Sequence, residues 1–239
     1  MLQLFLTHLQ GYKRQAVWSP ILIVVEVICE LLLPLVMAEI VDTAIPAGDE
    51  TYIFQLGAVM LVLAELIIIG ALMYDGFMDT SDGVFSARDR ERMLEIMKDS
   101  HVGSNAVIAL VCLVLLKVAA YTTLPPVKLS FALVAVFVAT RTFMVTYIVN
   151  YKYARKTGIG HMFKAYAKPM YTYIAFVLCL ALVAACGLPY LYTAIAAFVI
   201  CQGIAHFLSG QLGGLTGDTY GFLTECGVVV YLMLATYII

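Results

Sequence analysis

The chain has 239 residues, 63% of them apolar and only 13% charged, with mean hydropathy +0.95 and a formal charge of −2. A soluble domain of this size cannot cover so much apolar surface, so the composition specifies an integral membrane protein. The low net charge excludes the basic field of a nucleic-acid binder, and the apolar excess excludes a disordered chain.

Residues 1–15 (MLQLFLTHLQGYKRQ) set Leu2, Leu4, Phe5, Leu6 and Leu9 ahead of Lys13 and Arg14, which predicts a short helix lying in the membrane interface. No small-residue cleavage site follows, so this is not read as a secretory signal. A bilayer-crossing helix needs about 20 apolar residues. Seven stretches meet or approach that length: Ala16–Ala38, Tyr52–Tyr74, Ala106–Thr123, Leu129–Tyr151, Pro169–Gly187, Tyr190–Leu208 and Tyr220–Ile239. The expected fold is therefore all-α, a polytopic membrane helix bundle with seven transmembrane helices.

Lysine and arginine distribution sets the expected orientation. Two fall before the first span, four in residues 75–105 and five in residues 152–168, against Lys128 alone on the opposite side. This places the N-terminus in the cytoplasm, together with the acidic, basic and glycine-rich loops of a multi-pass cell-membrane protein. Six cysteines lie in or beside apolar stretches, none in a CxxC pair, so they read as small buried residues rather than a disulfide or zinc framework.

Asp75-Gly76-Phe77-Met78-Asp79-Thr80-Ser81-Asp82-Gly83 carries carboxylates at i, i+4 and i+7. On a helix they fall within about 60° of one another, and crowded carboxylates repel unless a hard cation such as Mg²⁺ or Mn²⁺ sits among them. If the helix continues, Ser86 and Asp89 join that face. The competing reading is a solvated acidic helix end. Next come Arg88, Asp89, Arg90, Glu91, Arg92, Glu95, Lys98, Asp99 and His101. Such alternation is usually a salt-bridged exposed helix, although arginines beside a metal can also clamp phosphate oxygens.

Seven ionisable residues lie inside expected spans: Glu26, Glu30, Glu65, Lys117, Arg141, His206 and Glu225. Their cost in lipid turns them toward a bundle interior or wet cavity, with structural pairing or snorkelling the bland fate of Lys117 and His206. The tyrosines and lysines of 151–173 fit an interfacial belt or a nucleotide-facing surface equally. Finally, Gly213-Gly214-Leu215-Thr216-Gly217-Asp218-Thr219-Tyr220-Gly221 enters the last span. Glycine-freed amides at a helix start can bind an anion, but no Lys-Ser/Thr follows as a P-loop requires, and Asp218 also reads as an N-cap.

These motifs carry a resemblance. DGFMDTSDG, RDRERMLEIMKDSHVG, Thr140-Arg141, YARKTGIG and GGLTGDTYG with Glu225 occur in an order similar to that of the cobalamin synthase (adenosylcobinamide-GDP ribazoletransferase) family, over about 70–239. Residues 1–69 instead resemble the first transmembrane segments of an ABC-exporter subunit, with no ATPase domain. The chain thus divides into an exporter-like segment, 1–69, and a synthase-like membrane catalytic domain, 70–239. Within the latter, Gly83, Ser104-Asn105 and Phe222 depart from the family pattern.

The resemblance implies a Mg²⁺-dependent enzyme that joins α-ribazole, or its 5′-phosphate, to adenosylcobinamide-GDP, releasing GMP. Asp75, Asp79 and Asp82 are then the expected metal ligands. Arg88, Arg90, Arg141, Arg155, Lys156, Gly213, Gly214, Thr216 and Gly217 are expected to bind substrate, with Asp218 or Asp99 as base. The expected partners are these two substrates and the lipid bilayer, with homo-oligomerisation left open and no nucleic acid. The alternatives are an inactive fusion of an exporter fragment with a truncated synthase, or a CDP-alcohol phosphotransferase-like enzyme. The latter's motif has a different acidic spacing.

Overall fold

The computed structural model describes Leu32 and residues 35–69, 71–155 and 159–239. Among these residues every regular element is helical, as the composition requires. The chain separates into two compact units, residues 1–71 and 72–239. The first unit has a π-helical stretch, Ile40–Ala44, and a short turn, Ile45–Ala47, that ends at Gly48 with φ +64°. Helix α1, Glu50–Ile69, follows; its start is held by the Asp49 carboxylate, which accepts from the Tyr52 amide at 2.9 Å. The interfacial helix expected over 1–15 and most of the first expected span, with Glu26 and Glu30, lie outside the described residues.

The second unit begins with α2, Ala71–Val84, so the acidic stretch is helical and not a loop. That helix does not extend to Ser86 and Asp89. It ends at Val84, the chain turns through Ala87 at φ +52°, and Asp89 starts α3, Arg90–Ile96, by accepting from the Arg92 amide at 2.9 Å. An Asp is a better N-cap than a mid-helix residue, because its side chain competes with the helical backbone for hydrogen bonds.

The remaining helices are α4, Ser104–Thr123; α5, Pro126–Asn150; α6, Ile159–Tyr166; α7, Pro169–Cys186; α8, Leu188–Leu212; and α9, Gly217–Ile238. Prolines sit in the first turns of α5, α7 and α8, where their missing N–H costs nothing. Gly187 at φ +127° breaks α7 from α8, and Gly213 at φ +68° ends α8, positions at which a side chain would be strained. The stretch between the expected spans that end at Leu208 and start at Tyr220 is thereby shortened to the few residues between Leu212 and Gly217. Among the described residues four helices (α4, α5, α8 and α9) are long and apolar enough to cross a membrane, with shorter apolar stretches at Glu50–Ala64 and Thr172–Cys186.

Packing explains which faces turn inward. Ala132, Ala135, Ala139 and Phe143 of α5, and Ala194, Ala197, Cys201 and Ala205 of α8, are buried at helical spacing. Lipid tails are as apolar as leucine, so helices associate through close packing at small residues, while large side chains such as Leu115, Val177 and Val199 stay exposed. Helix α9 is the hub, packing on α4, α5 and α8, with Leu223, Glu225, Val228, Tyr231, Leu232 and Ala235 buried.

Candidate active site

Two crossings assemble the site. Helix α2 meets the start of α9 at glycines: a Cβ on Gly76 would lie 2.7 Å from the Asp218 carbonyl oxygen, and one on Gly221 2.8 Å from that of Met73. Backbone-to-backbone approach this close admits only hydrogen at both positions. Phe77 and Phe222 stack beside them with centroids 5.0 Å apart and planes at 10°. Phe222 thus has a packing partner on the acidic helix itself. The crossing brings DGFMD, with Asp75 and Asp79 half-buried, against GGLTGD.

The second junction joins the segment after α5 to the loop before α9. The Leu215 amide donates to the Lys152 carbonyl and the Ala154 amide to the Leu215 carbonyl, both at 2.8 Å, forming one parallel bridge at Tyr153 and Leu215. Gly214, at φ +142°, lets the strands touch: a Cβ there would lie 2.6 Å from the Lys152 oxygen. This bridge delivers Arg155 to Asp218, with an Nη2–Oδ2 distance of 2.9 Å and both side chains mostly buried. Thr216 caps α9 by accepting from the Thr219 amide at 3.2 Å, while its own amide donates to Thr219 Oγ1 at 2.8 Å. The Arg90 guanidinium covers the other side of the loop, close enough that a Cβ on Gly213 would lie 2.5 Å from its Cζ.

An aromatic group lines the same junction. The Tyr153 ring lies edge-on to His161 at 6.1 Å and tilted to Tyr220 at 6.5 Å, with Gly160 against its hydroxyl end. Burial pushes the Tyr153 phenol above its ordinary value, so it remains protonated at neutral pH.

Other expected site residues are placed differently. Asp82 gives both oxygens to the start of α4, accepting from the Gly103 amide at 2.6 Å and the Ala106 amide at 2.8 Å. Asp99 is exposed on the α3–α4 link, where the hydrogen bond from His101 at 2.6 Å holds its carboxyl below the usual range. Arg92 pairs with Glu95 at 2.9 Å on an exposed face, as the alternating-charge reading anticipates. Arg88 is exposed beside Asp89. Arg141 lies half-buried on α5, next to the point where Thr140 meets Gly227 of α9. Lys156 lies outside the described residues.

Hard oxygen donors suit Mg²⁺, which is usually held by one or two carboxylates together with substrate phosphates. Asp75 and Asp79, one turn apart, fit that pattern. Asp82 already accepts one backbone amide on each oxygen, which leaves it fewer lone pairs for a cation. Among the described residues no group of three or more metal-capable side chains comes together. Lys117 takes the structural pairing expected of it, in a buried ion pair whose partner, Glu225, the spacing did not name.

The profile of the cobalamin-5-phosphate synthase family matches residues 6–236. The chain belongs to this family. Curated relatives named adenosylcobinamide-GDP ribazoletransferase agree: one from Desulforamulus reducens is 40% identical over 173 residues, covering 72% of this chain and 70% of its own. Those from Clostridium novyi and Klebsiella pneumoniae subsp. pneumoniae are 34% and 35% identical, covering 75% and 74% of this chain and 74% of their own. No solved structure matches the chain. The synthase profile begins at residue 6, and the exporter resemblance over residues 1–69 gains no support from these relatives.

Proposed function

We propose that this membrane-embedded synthase transfers the cobinamide phosphate of adenosylcobinamide-GDP to α-ribazole or its 5′-phosphate, releasing GMP and yielding adenosylcobalamin or its 5′-phosphate. The observation that carries the reading is the α2–α9 crossing, which sets the acidic motif against the glycine-rich loop in a chain matching the synthase family almost end to end. The inactive-fusion alternative is not favoured by that match.

In this reading a ribose hydroxyl oxygen of the ribazole other than the 5′ oxygen, which the 5′-phosphate occupies, forms a bond to the phosphorus carried by cobinamide. The bond from that phosphorus to the GMP oxygen breaks, and the hydroxyl proton passes to a carboxylate. Asp75 and Asp79 hold Mg²⁺, which neutralises charge on the diphosphate when bound. Arg90 and Arg155, flanking the loop, orient phosphate oxygens, and Arg141 and Lys156 add positive charge. Amides of Gly213, Gly214 and Gly217 contact phosphate, with Thr216 shaping the turn. Asp218 is the base. Asp99, exposed on the α3–α4 link and engaged by His101, is not assigned that role.

The loops of this site face the cytoplasm, where nucleotide substrates are found, in keeping with the lysine and arginine bias. Exporter ancestry for residues 1–69 and assembly into a homo-oligomer remain separate proposals. The direct test incubates membranes holding the protein with adenosylcobinamide-GDP, α-ribazole and Mg²⁺ and follows GMP and cobalamin by mass spectrometry, with Asp79→Asn alongside. Product from wild type and not from the variant is expected; none from well-inserted wild type refutes the reading.

A further inference from the structure

We propose that Lys117, Glu225 and Tyr74 form a charged tether that sets the register between the acidic helix and the glycine-rich loop. Lys117 Nζ on α4 lies 2.6 Å from Glu225 Oε2 on α9 and donates to the Tyr74 hydroxyl on α2 at 2.9 Å. It also sits 4.9 Å from the centroid of the Tyr74 ring. Both charged side chains are 0% exposed. Three helices, far apart in sequence, thus share one ammonium group.

Stability alone does not account for such a group. Removing two charges from water costs several kcal/mol per ion, and replacing a buried pair by apolar residues of similar volume is often neutral or stabilising. What a buried pair supplies is a single geometry, since a shifted helix would leave a charge uncompensated in an apolar interior.

The location of the pair gives that geometry a use. Tyr74 immediately precedes Asp75, and Glu225 lies two helical turns beyond Asp218 on nearly the same face of α9. Between them the helices touch through the Phe77–Phe222 stack and through smooth glycine surfaces at Gly76 and Gly221. Such surfaces allow close approach but resist sliding weakly. The tether fixes the slide, and with it the distance from Asp75 and Asp79 to the Asp218 loop. Lys117, Glu225 and Tyr74 are positioning residues: they act through the groups they hold.

The test compares wild type, Lys117→Met, Glu225→Gln and the double variant Lys117→Met/Glu225→Met in detergent. Each single variant removes one member of the buried pair and leaves the other charge in the interior, so the double variant carries the decision. Its melting temperature is expected to match or exceed that of wild type, while amide hydrogen exchange over residues 216–221 accelerates. The kinetic arm rests on the proposed function. There kcat falls about a hundredfold, the penalty of a misplacement of about 1 Å, with KM for adenosylcobinamide-GDP unchanged. Wild-type exchange and kcat in the double variant overturn the proposal, and so does a double variant that fails to fold, which would make the pair a structural support. If wild type itself releases no GMP, the functional reading fails, and the exchange arm still decides the tether.

Discussion

Asp82 and Asp79 sit one helical turn apart, and we expect them to do different work. Asp82 closes the start of α4 through two amides, so Asp82→Ala should cost about 1–2 kcal/mol of stability, seen as a lower melting temperature in detergent. Its Mg²⁺ requirement should stay at the wild-type value. Asp79→Asn should do the reverse, raising the Mg²⁺ concentration for half-maximal GMP release while leaving melting nearly unaltered. A shifted requirement in the Asp82 variant would return that residue to the metal. Asp99 and Asp218 separate in the same manner. Asp218→Asn should lower kcat by about 10²–10⁴-fold, the span of general-base contributions; an equal loss in Asp99→Asn would refute the assignment. Asp99, held down by His101, contributes stability above the usual carboxyl pKa that is lost as pH falls through its lowered value. In His101→Ala the Asp99 carboxyl should therefore titrate at higher pH, read by NMR.

Helix α2 illustrates how elements turn one motif into several functions. Periodicity puts its three carboxylates on one face, but where the helix ends and what it touches depend on partners elsewhere in the chain. Gly76 and Gly221 mark the contact with α9, and substituting either with alanine forces a methyl group to within about 3 Å of a carbonyl oxygen. Such overpacking costs typically 1–3 kcal/mol. Both variants should lose stability, and Gly57→Ala in α1, where a Cβ meets nothing within 4 Å, should not. Equal melting of all three would show that the crossing is looser than described. Phe222→Ala, which removes the stack on Phe77, should also destabilise the helix pair, by about 3–5 kcal/mol if the site fails to collapse.

At the scale of the whole molecule the decisive question is which side of the membrane the loops occupy. Cysteines placed at Lys98 and Lys128 should label with a membrane-impermeant maleimide from the cytoplasmic and the outer side respectively. The reversed pattern would remove the site from its soluble substrates. Composition, apolar run lengths and the ordered motifs were enough to read a helical membrane protein and its synthase family, because burial of apolar surface and helix length are local properties of the chain. The same holds for the helix start at Pro169 and for the break at Gly187, whereas α5 starts at Pro126, three residues before the expected Leu129. The partner of each polar group was not readable in this way. Asp82 on the α4 amides, Arg155 on Asp218, Arg90 over Gly213 and Lys117 on Glu225 all join residues far apart in sequence. Helical spacing says which face a charge occupies, and only the packing of helices says what stands opposite it.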